Sequence, residues 1–419
     1  MSDPADLTAS QARHRINAGS LTPAALLDAC LARAAQHEAR LHIYAYLDPA
    51  LPSRRPMPGP LHGLPLGVKD VFDTADMPSA YGSPIWHGHR PRADAAAIAW
   101  ARASGAVVIG KTVTTEFAYR HPGPTANPHD PARTPGGSSS GSAAGVAAGY
   151  FPFALGTQTA GSVIRPAAYC GVVGFKPSFG TINRAGLKPL AESLDTIGVF
   201  ARSVADGALL AGTLGGRALG DPERKPERAP RIGICRSPSW PLAAPETVAL
   251  LAEAETRLRR AGAHVEAREL PAEFAALAEA HPLVMNAEAA RALAWELFTH
   301  PAKLSRALTE RLTAGMAAAP ESLFAARATL RRCRAAFPAA IEGLDILVTP
   351  AAPGEAPLGL DFTGDPAFNY LWTSLHVPCV TVPAGKGPNG MPLGAQIVGR
   401  FDDDAATLTW AEWVRQALG

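Results

Sequence analysis

Short, unbroken apolar runs alternate with helix-period segments along this chain. Residues 95–103 are alanine-rich with helical spacing, and Gly105 follows as a C-terminal cap. The run Ala106–Ile109 comes next. The pattern returns with strands expected at Arg231–Cys235, Ala263–Ala267, Leu344–Thr349, Val377–Val382 and Gly394–Val398. Helices are expected at Pro245–Ala261, through 283–340, and at Asp403–Leu418. An apolar run without polar alternation has no face to offer water, so the sheet it builds is covered on both sides. The chain therefore reads as an α/β protein with a largely buried sheet.

The N-terminal part, 1–58, reads as helices over 7–40, then an extended proline-rich loop over 48–65. Ser20-Leu21-Thr22-Pro23 has the form of a helix start, with proline tolerated in the first turn. Leu64–Lys69 is expected as a short buried strand with Lys69 at its end, and 141–148 as a small-residue helix able to pack closely. The long Pro/Gly/His/Asn/Ser stretch 119–141 reads as a functional loop. The charged stretch 215–230 is the best place for a boundary or an exposed excursion. With no internal repeat, the expectation is one domain over 1–419: N-terminal helices (1–58), a core (59–214), and a C-terminal α/β part (231–419) joined to the same sheet.

The net charge of +2 among 419 residues gives no footprint for nucleic acid or an anionic membrane. Five scattered cysteines without a CxxC pair fit a reducing compartment better than a disulfide framework. Residues 1–11 lack an apolar signal core, and no apolar run reaches the ~20 residues that span a bilayer. A cytoplasmic protein is the expectation.

Gly105-Ala106-Val107-Val108-Ile109-Gly110-Lys111-Thr112 matches the phosphate-loop pattern letter for letter. Its context is wrong: a helix precedes the first glycine, and the loop positions are an apolar strand. Nucleotide binding is rejected on that ground. His62, His87, His89, His121 and His129 fall in loops without metal-ligand or esterase spacing, and read as surface or turn residues. No metal and no cofactor is expected. Cys170 reads as a small buried hydrophobe.

Three segments carry chemistry: Gly67-Val68-Lys69-Asp70, Gly136–Gly141 with its three serines, and Thr157–Ser162. A serine hydroxyl needs a base to become a nucleophile, and a lysine serves only when burial keeps it neutral. Leu64, Leu66, Val68, Val71 and Phe72 supply such surroundings for Lys69, the competing reading being a lysine paired with Asp70. A serine of 138–140 can relay a proton, since a hydroxyl both donates and accepts; composition leaves open which one, and a plain flexible linker is the other reading. Ser162 follows small residues whose N–H groups can converge on an oxyanion, or it sits in an ordinary turn before a strand.

On these residues the chain resembles the amidase signature family. The resemblance is densest over 59–202, through Gly63-Leu64-Pro65-Leu66-Gly67-Val68-Lys69-Asp70, Gly136-Gly137-Ser138-Ser139, Ser162-Val163-Ile164-Arg165-Pro166 and Gly174-Phe175-Lys176-Pro177. It implies the amidase-signature fold, a large mixed central β-sheet covered on both faces by α-helices. It implies a catalytic Lys69, Ser138 and Ser162: Lys69 as base, Ser138 as the bridging serine on a cis peptide bond, and Ser162 as acyl acceptor. The oxyanion donors become the N–H groups of Thr159, Ala160, Gly161 and Ser162. Two departures stand out, Gln158 where the family commonly has Asp and Ala160 where it has Gly. The Gln form is similar to a bacterial subgroup that includes malonamidase, in which the arginine matching Arg165 reads a substrate carboxylate; a structural ion pair is the other reading of Arg165.

The function implied is a serine amidohydrolase acting on a small-molecule amide through an acyl-enzyme. The alternative is the ammonia-supplying component of an amidotransferase complex, and a third reading is a scaffold without catalysis. A homodimer is compatible with the first. The acyl pocket is expected from the loop 119–135, Thr349-Pro350-Ala351, and Phe368–Trp372, whose aromatics serve equally well as core.

Overall fold

The computed structural model describes residues 3–51 and 55–419. Among these, eleven strands form one sheet. They are β1 (Tyr44–Leu47), β2 (Pro65–Lys69), β3 (Val107–Thr112), β4 (Phe153–Gln158), β5 (Val173–Lys176), β6 (Thr196–Ala201), β7 (Arg231–Ile234), β8 (His264–Ala267), β9 (Ile346–Pro350), β10 (Cys379–Lys386) and β11 (Pro392–Val398). Their spatial order is β1-β3-β2-β4-β6-β5-β10-β11-β9-β7-β8. β3, β2 and β4 run parallel, as do β9, β7 and β8; the pairs from β4 through β6, β5, β10 and β11 to β9 are antiparallel. The mixed sheet expected from the resemblance is present, and the segments 59–214 and 231–419 both contribute to it.

Strand periodicity of two divides the core. Leu66, Val68, Phe153, Leu155, Ile346 and Val348 pack on one face with helices Ala96–Ala103, Val204–Gly215, Pro245–Arg260 and Asp404–Leu418. Their alternates, among them Ala154, Phe200 and Leu347, face the other side, where Ser140–Ala148, Ile164–Cys170, Leu277–Ala292 and Pro320–Ala340 pack. Both faces are thus covered by helices.

Local signals explain several boundaries. Thr22 caps the helix Pro23–Leu41 by accepting from the Ala25 N–H, with Pro23 in the first turn. In the helix Ser140–Ala148, a Cβ on Gly145 would lie 2.2 Å from the Phe151 ring, so only glycine lets this helix settle on the sheet. The region 283–340, read as one helical stretch, divides into Leu277–Ala292, Ala294–Thr299, Arg306–Met316 and Pro320–Ala340. Strands β1, β4, β5 and β6 and the helix Val204–Gly215 had no counterpart in the sequence reading. β4, β5 and β6 each carry a glycine that interrupts the apolar run, and β1 is an edge strand with no fully buried residue. The phosphate-loop match is β3, buried at all six positions. Among the described residues no helix is long and apolar enough to cross a membrane.

Candidate active site

Parallel neighbours end on the same edge of a sheet, so β2 and β4 deliver Lys69 and Thr157 side by side at their carboxyl ends. Lys69 is 0% exposed. Its Nζ lies 2.7 Å from Ser138 Oγ and 2.7 Å from Thr157 Oγ1. No carboxylate pairs with it among the described residues. Burial drives its amine well below the ordinary lysine value, opposed only by the charge of Asp195. Asp70 takes a different partner: its Oδ1 is 2.9 Å from Lys111 Nζ, the lysine of the rejected phosphate-loop motif. Lys111 also donates to Phe72 O and Ser79 Oγ. The pairing of Lys69 with Asp70, the competing sequence reading, does not occur.

The three serines of the glycine-rich loop divide the work. Ser138 alone reaches Lys69, from a cis Gly137–Ser138 peptide. Ser139 Oγ engages the Thr157 backbone at both N–H and C=O, each at 3.3 Å, and so ties the loop to β4. Ser140 Oγ donates to Gly136 O at 2.7 Å and opens the helix Ser140–Ala148. The run is therefore a fixed turn, not a flexible linker.

After β4 the chain makes a tight turn, 159–163, into the short helix Ile164–Cys170 rather than into a strand. This turn is held from outside. Thr159 Oγ1 donates to Asp195 Oδ1, and Thr159 O accepts from His281 Nε2 at 2.9 Å. Ala160 O accepts from Thr373 Oγ1 at 2.8 Å. Gln158 Oε1 accepts from the N–H groups of Val163 and Ile164, while its Nε2 donates to Thr373 Oγ1. A carboxylate could make the first two contacts but could not donate the third, which accounts for an amide at this position. The N–H groups of Thr159, Ala160, Gly161 and Ser162 find no acceptor among the described residues. Ala160 is not among the non-glycine residues with positive φ, so its side chain imposes no left-handed strain on the turn.

Thr159, Ala160, Gly161 and Ser162 line a cavity of about 210 Å³. Ser162 is 8% exposed and lines it; Lys69 and Ser138 are buried and do not, and among the described residues Ser162 Oγ makes no hydrogen bond to Ser138, so the structure joins Lys69 to Ser138 but not Ser138 to Ser162. The cavity walls differ from the expected ones. From 119–135 only Tyr119 and Arg120 take part; from 368–372 only Tyr370 does, while Phe368 and Trp372 are core. Thr349, Pro350 and Ala351 do not line it. The walls come instead from the helix Leu277–Ala292 (Ala278, His281, Pro282, Met285) and from 362–366. No local pattern marks these residues; tertiary packing of a helix more than a hundred positions downstream brings them in.

Arg165 also lines the cavity. Its Nε donates to Thr363 O at 2.8 Å and one terminal nitrogen to Gly137 O at 2.7 Å, while the other terminal nitrogen is buried with no partner. Among the described residues no carboxylate pairs with it, so the structural ion pair is not found. Burial lowers its pKa to about 10. The five loop histidines lie outside the cavity, and Cys170 is buried with its thiol pushed up by desolvation. Among the described residues no group of three or more His, Cys, Asp or Glu could hold a metal ion.

A sealed amine on a hydroxyl, beside a cavity carrying a second hydroxyl and four free N–H groups, has the parts of a base-assisted nucleophile and an anion-stabilising turn. Comparison with known proteins agrees with that chemistry. A family model described as Amidase matches residues 25–408. A glutamyl-tRNA(Gln) amidotransferase subunit from Anaeromyxobacter dehalogenans (strain 2CP-C) is 33% identical, over 86% of this chain and 83% of the relative. The corresponding amidotransferase protein from Chloroflexus aggregans is 34% identical, over 96% and 94%. Among solved structures, one described as an amidase superposes with a TM-score of 0.88 at 32% identity, covering 99% of this chain and all of the other. The native peptide amidase from Stenotrophomonas maltophilia gives 0.84 at 31% identity, covering 98% and 96%.

Proposed function

The chain belongs to the amidase family and is an amide hydrolase, and from that premise we propose that it cleaves a small-molecule carboxamide through an acyl-enzyme on Ser162. The observation that carries this reading is the Lys69–Ser138 contact of 2.7 Å, with the amine fully buried and paired with no carboxylate among the described residues. In the proposed reaction Ser162 Oγ attacks the carbonyl carbon and loses its proton to Ser138, which passes its own proton to Lys69 Nζ. The carbonyl oxygen, now negative, takes hydrogen bonds from the N–H groups of Thr159 to Ser162. As the C–N bond breaks, Lys69 returns a proton through Ser138 to the departing nitrogen, releasing ammonia or an amine. Water then adds to the ester under the same relay, and the C–O bond to Ser162 breaks to give the acid. Oxyanion donors of this kind contribute roughly 3–4 kcal/mol each, and the relay's general-base assistance about 10²–10⁴-fold.

What supports a self-sufficient small-molecule enzyme is a cavity of about 210 Å³ at Ser162 and the full-length match to solved amidases. The similarity to glutamyl-tRNA(Gln) amidotransferase proteins supports a second reading, an ammonia source for a partner protein. Purification separates the two: a homo-oligomer that hydrolyses simple amides unaided favours the first, and co-purification of a partner without which only glutamine is cleaved favours the second. Both require Ser162. A fluorophosphonate probe should label it, and Ser162→Ala should lose both labelling and hydrolysis while keeping the native melting transition; retained hydrolysis would remove the mechanism.

A further inference from the structure

The free N–H groups of the turn 159–163 belong to peptides whose carbonyl ends are held by side chains from elsewhere in the chain. Every peptide bond of the turn is trans: among the described residues only Gly137–Ser138 is cis. In a planar trans peptide the C=O and the N–H point in opposite directions. Whatever fixes the carbonyl therefore aims the N–H on the far side of the same plane.

His281, from the helix Leu277–Ala292, holds the Thr159–Ala160 peptide. The residue is 3% exposed, and its Nε2 lies 2.9 Å from Thr159 O. A carbonyl oxygen only accepts, so this nitrogen carries the hydrogen. At the other end of that peptide is the Ala160 N–H, which has no acceptor among the described residues.

Thr373, in the helix Tyr370–Ser374, holds the next peptide, Ala160–Gly161. Its Oγ1 stands 2.8 Å from Ala160 O and 3.3 Å from Asn369 O, the carbonyl four positions back. A hydroxyl has one hydrogen to give. Gln158 decides how it is spent. Its Oε1 takes the N–H groups of Val163 and Ile164 at 2.9 and 3.0 Å, which turns its Nε2 toward Thr373, and Nε2 donates to Oγ1 at 2.9 Å. With a lone pair so engaged, the hydroxyl gives its hydrogen to the nearer carbonyl, Ala160 O. The chain from Gln158 through Thr373 thus ends on the peptide that carries the free Gly161 N–H. Hydrogen bonds in series polarise one another, so a held carbonyl also makes its own N–H a stronger donor.

Resting on the amidase reading of this turn, we propose that His281 and Thr373 are positioning residues for the reaction: by holding the carbonyls of Thr159 and Ala160 they aim the N–H groups of Ala160 and Gly161 at the developing oxyanion. Their effect belongs to the step in which charge appears on the oxygen, not to the binding of a neutral ligand.

A fluorophosphonate separates those two stages. Its reversible binding gives KI. Its covalent step gives kinact: Ser162 Oγ bonds to phosphorus, fluoride leaves, and the phosphoryl oxygen gains charge on the way. Thr373→Val keeps the shape without the hydroxyl, and His281→Leu removes the ring donor. In each, kinact should fall about tenfold or more while KI stays within about twofold. Thr373→Ser and His281→Gln return a donor to the same place and should restore kinact to within about threefold of the unaltered enzyme. A role confined to stability would lower the melting temperature and leave kinact unchanged, or move KI and kinact alike with no recovery in the serine and glutamine variants. Either result overturns the proposal for the residue concerned. His281→Met replaces His281→Leu if the latter lacks a native melting transition. Failure of the amidase reading shows separately, as an unaltered enzyme that neither takes the label on Ser162 nor hydrolyses amides.

Discussion

Gly161→Ala is the sharpest perturbation of the anion-stabilising turn. A Cβ at Gly161 would lie 2.4 Å from Asn369 Oδ1, 2.9 Å from a terminal nitrogen of Arg165 and 3.0 Å from Asn369 Cβ. Comfortable contact needs about 3.5 Å, so something must move by roughly 1 Å. Neither neighbour can give way cheaply. Asn369 Nδ2 is held by Ala351 O at 2.9 Å, and Arg165 by Thr363 O and Gly137 O. The turn itself must shift, carrying the N–H groups of 161 and 162 and the Ser162 hydroxyl with it. A displacement of that size costs on the order of 10²-fold in kcat, or about 2.7 kcal/mol of transition-state stabilisation. Overpacking adds roughly 1–3 kcal/mol of lost stability. The assay is kcat and KM on a simple amide, with the rate of fluorophosphonate labelling and a thermal melt on the same sample. The melt should remain cooperative while kcat and labelling fall together. Activity within about twofold of the unaltered enzyme would show that the turn is not the rigid donor set argued above.

Two further outcomes follow from the buried amines. Lys111→Met leaves Asp70 buried without its cation and should destabilise the fold by roughly 3–5 kcal/mol; adding Asp70→Asn should recover part of that loss, and urea melts of the three proteins check it. Lys69 acts as the free amine, and burial lowers its pKa below the ordinary 10.5, so kcat/KM should rise with pH through a midpoint below that value and be lost as pH falls through it. A pH–rate profile whose rising limb sits at or above 10.5 would contradict a desolvated Lys69.

Local pattern carried much of the site. Lys69 at the end of an apolar strand, the serines on a glycine-rich turn, and Ser162 after small residues are readable because each depends on its own neighbours along the chain. The phosphate-loop match could be dismissed for the same reason: Ala106–Ile109 reads as a buried strand whatever pattern of glycines frames it, and the structure makes it β3. Strands β4, β5 and β6 escaped because Gly156, Gly174 and Gly198 break their apolar runs. Those glycines answer to neighbours that the fold packs against them: a Cβ on Gly198 would lie 2.8 Å from Phe175 O in the adjacent strand, and one on Gly174 2.5 Å from Ala167 Cβ in the helix Ile164–Cys170.

The sequence by itself determined much of the alternation of helices and buried strands and the small-residue turns, and it offered Lys69 as a candidate base, Ser162 as a candidate nucleophile and three serines, 138–140, as candidate relays. Only the tertiary structure decided which partner each of them meets. It gave Asp70 to Lys111 and left Lys69 to Ser138 and Thr157. It brought His281 into the cavity lining, 122 positions from the Thr159 carbonyl it holds. The physical reason is that helix and strand preferences are set by residues a few positions apart, whereas burial, and with it the protonation state of an amine and the shape of a cavity, is set by whatever the fold packs against it.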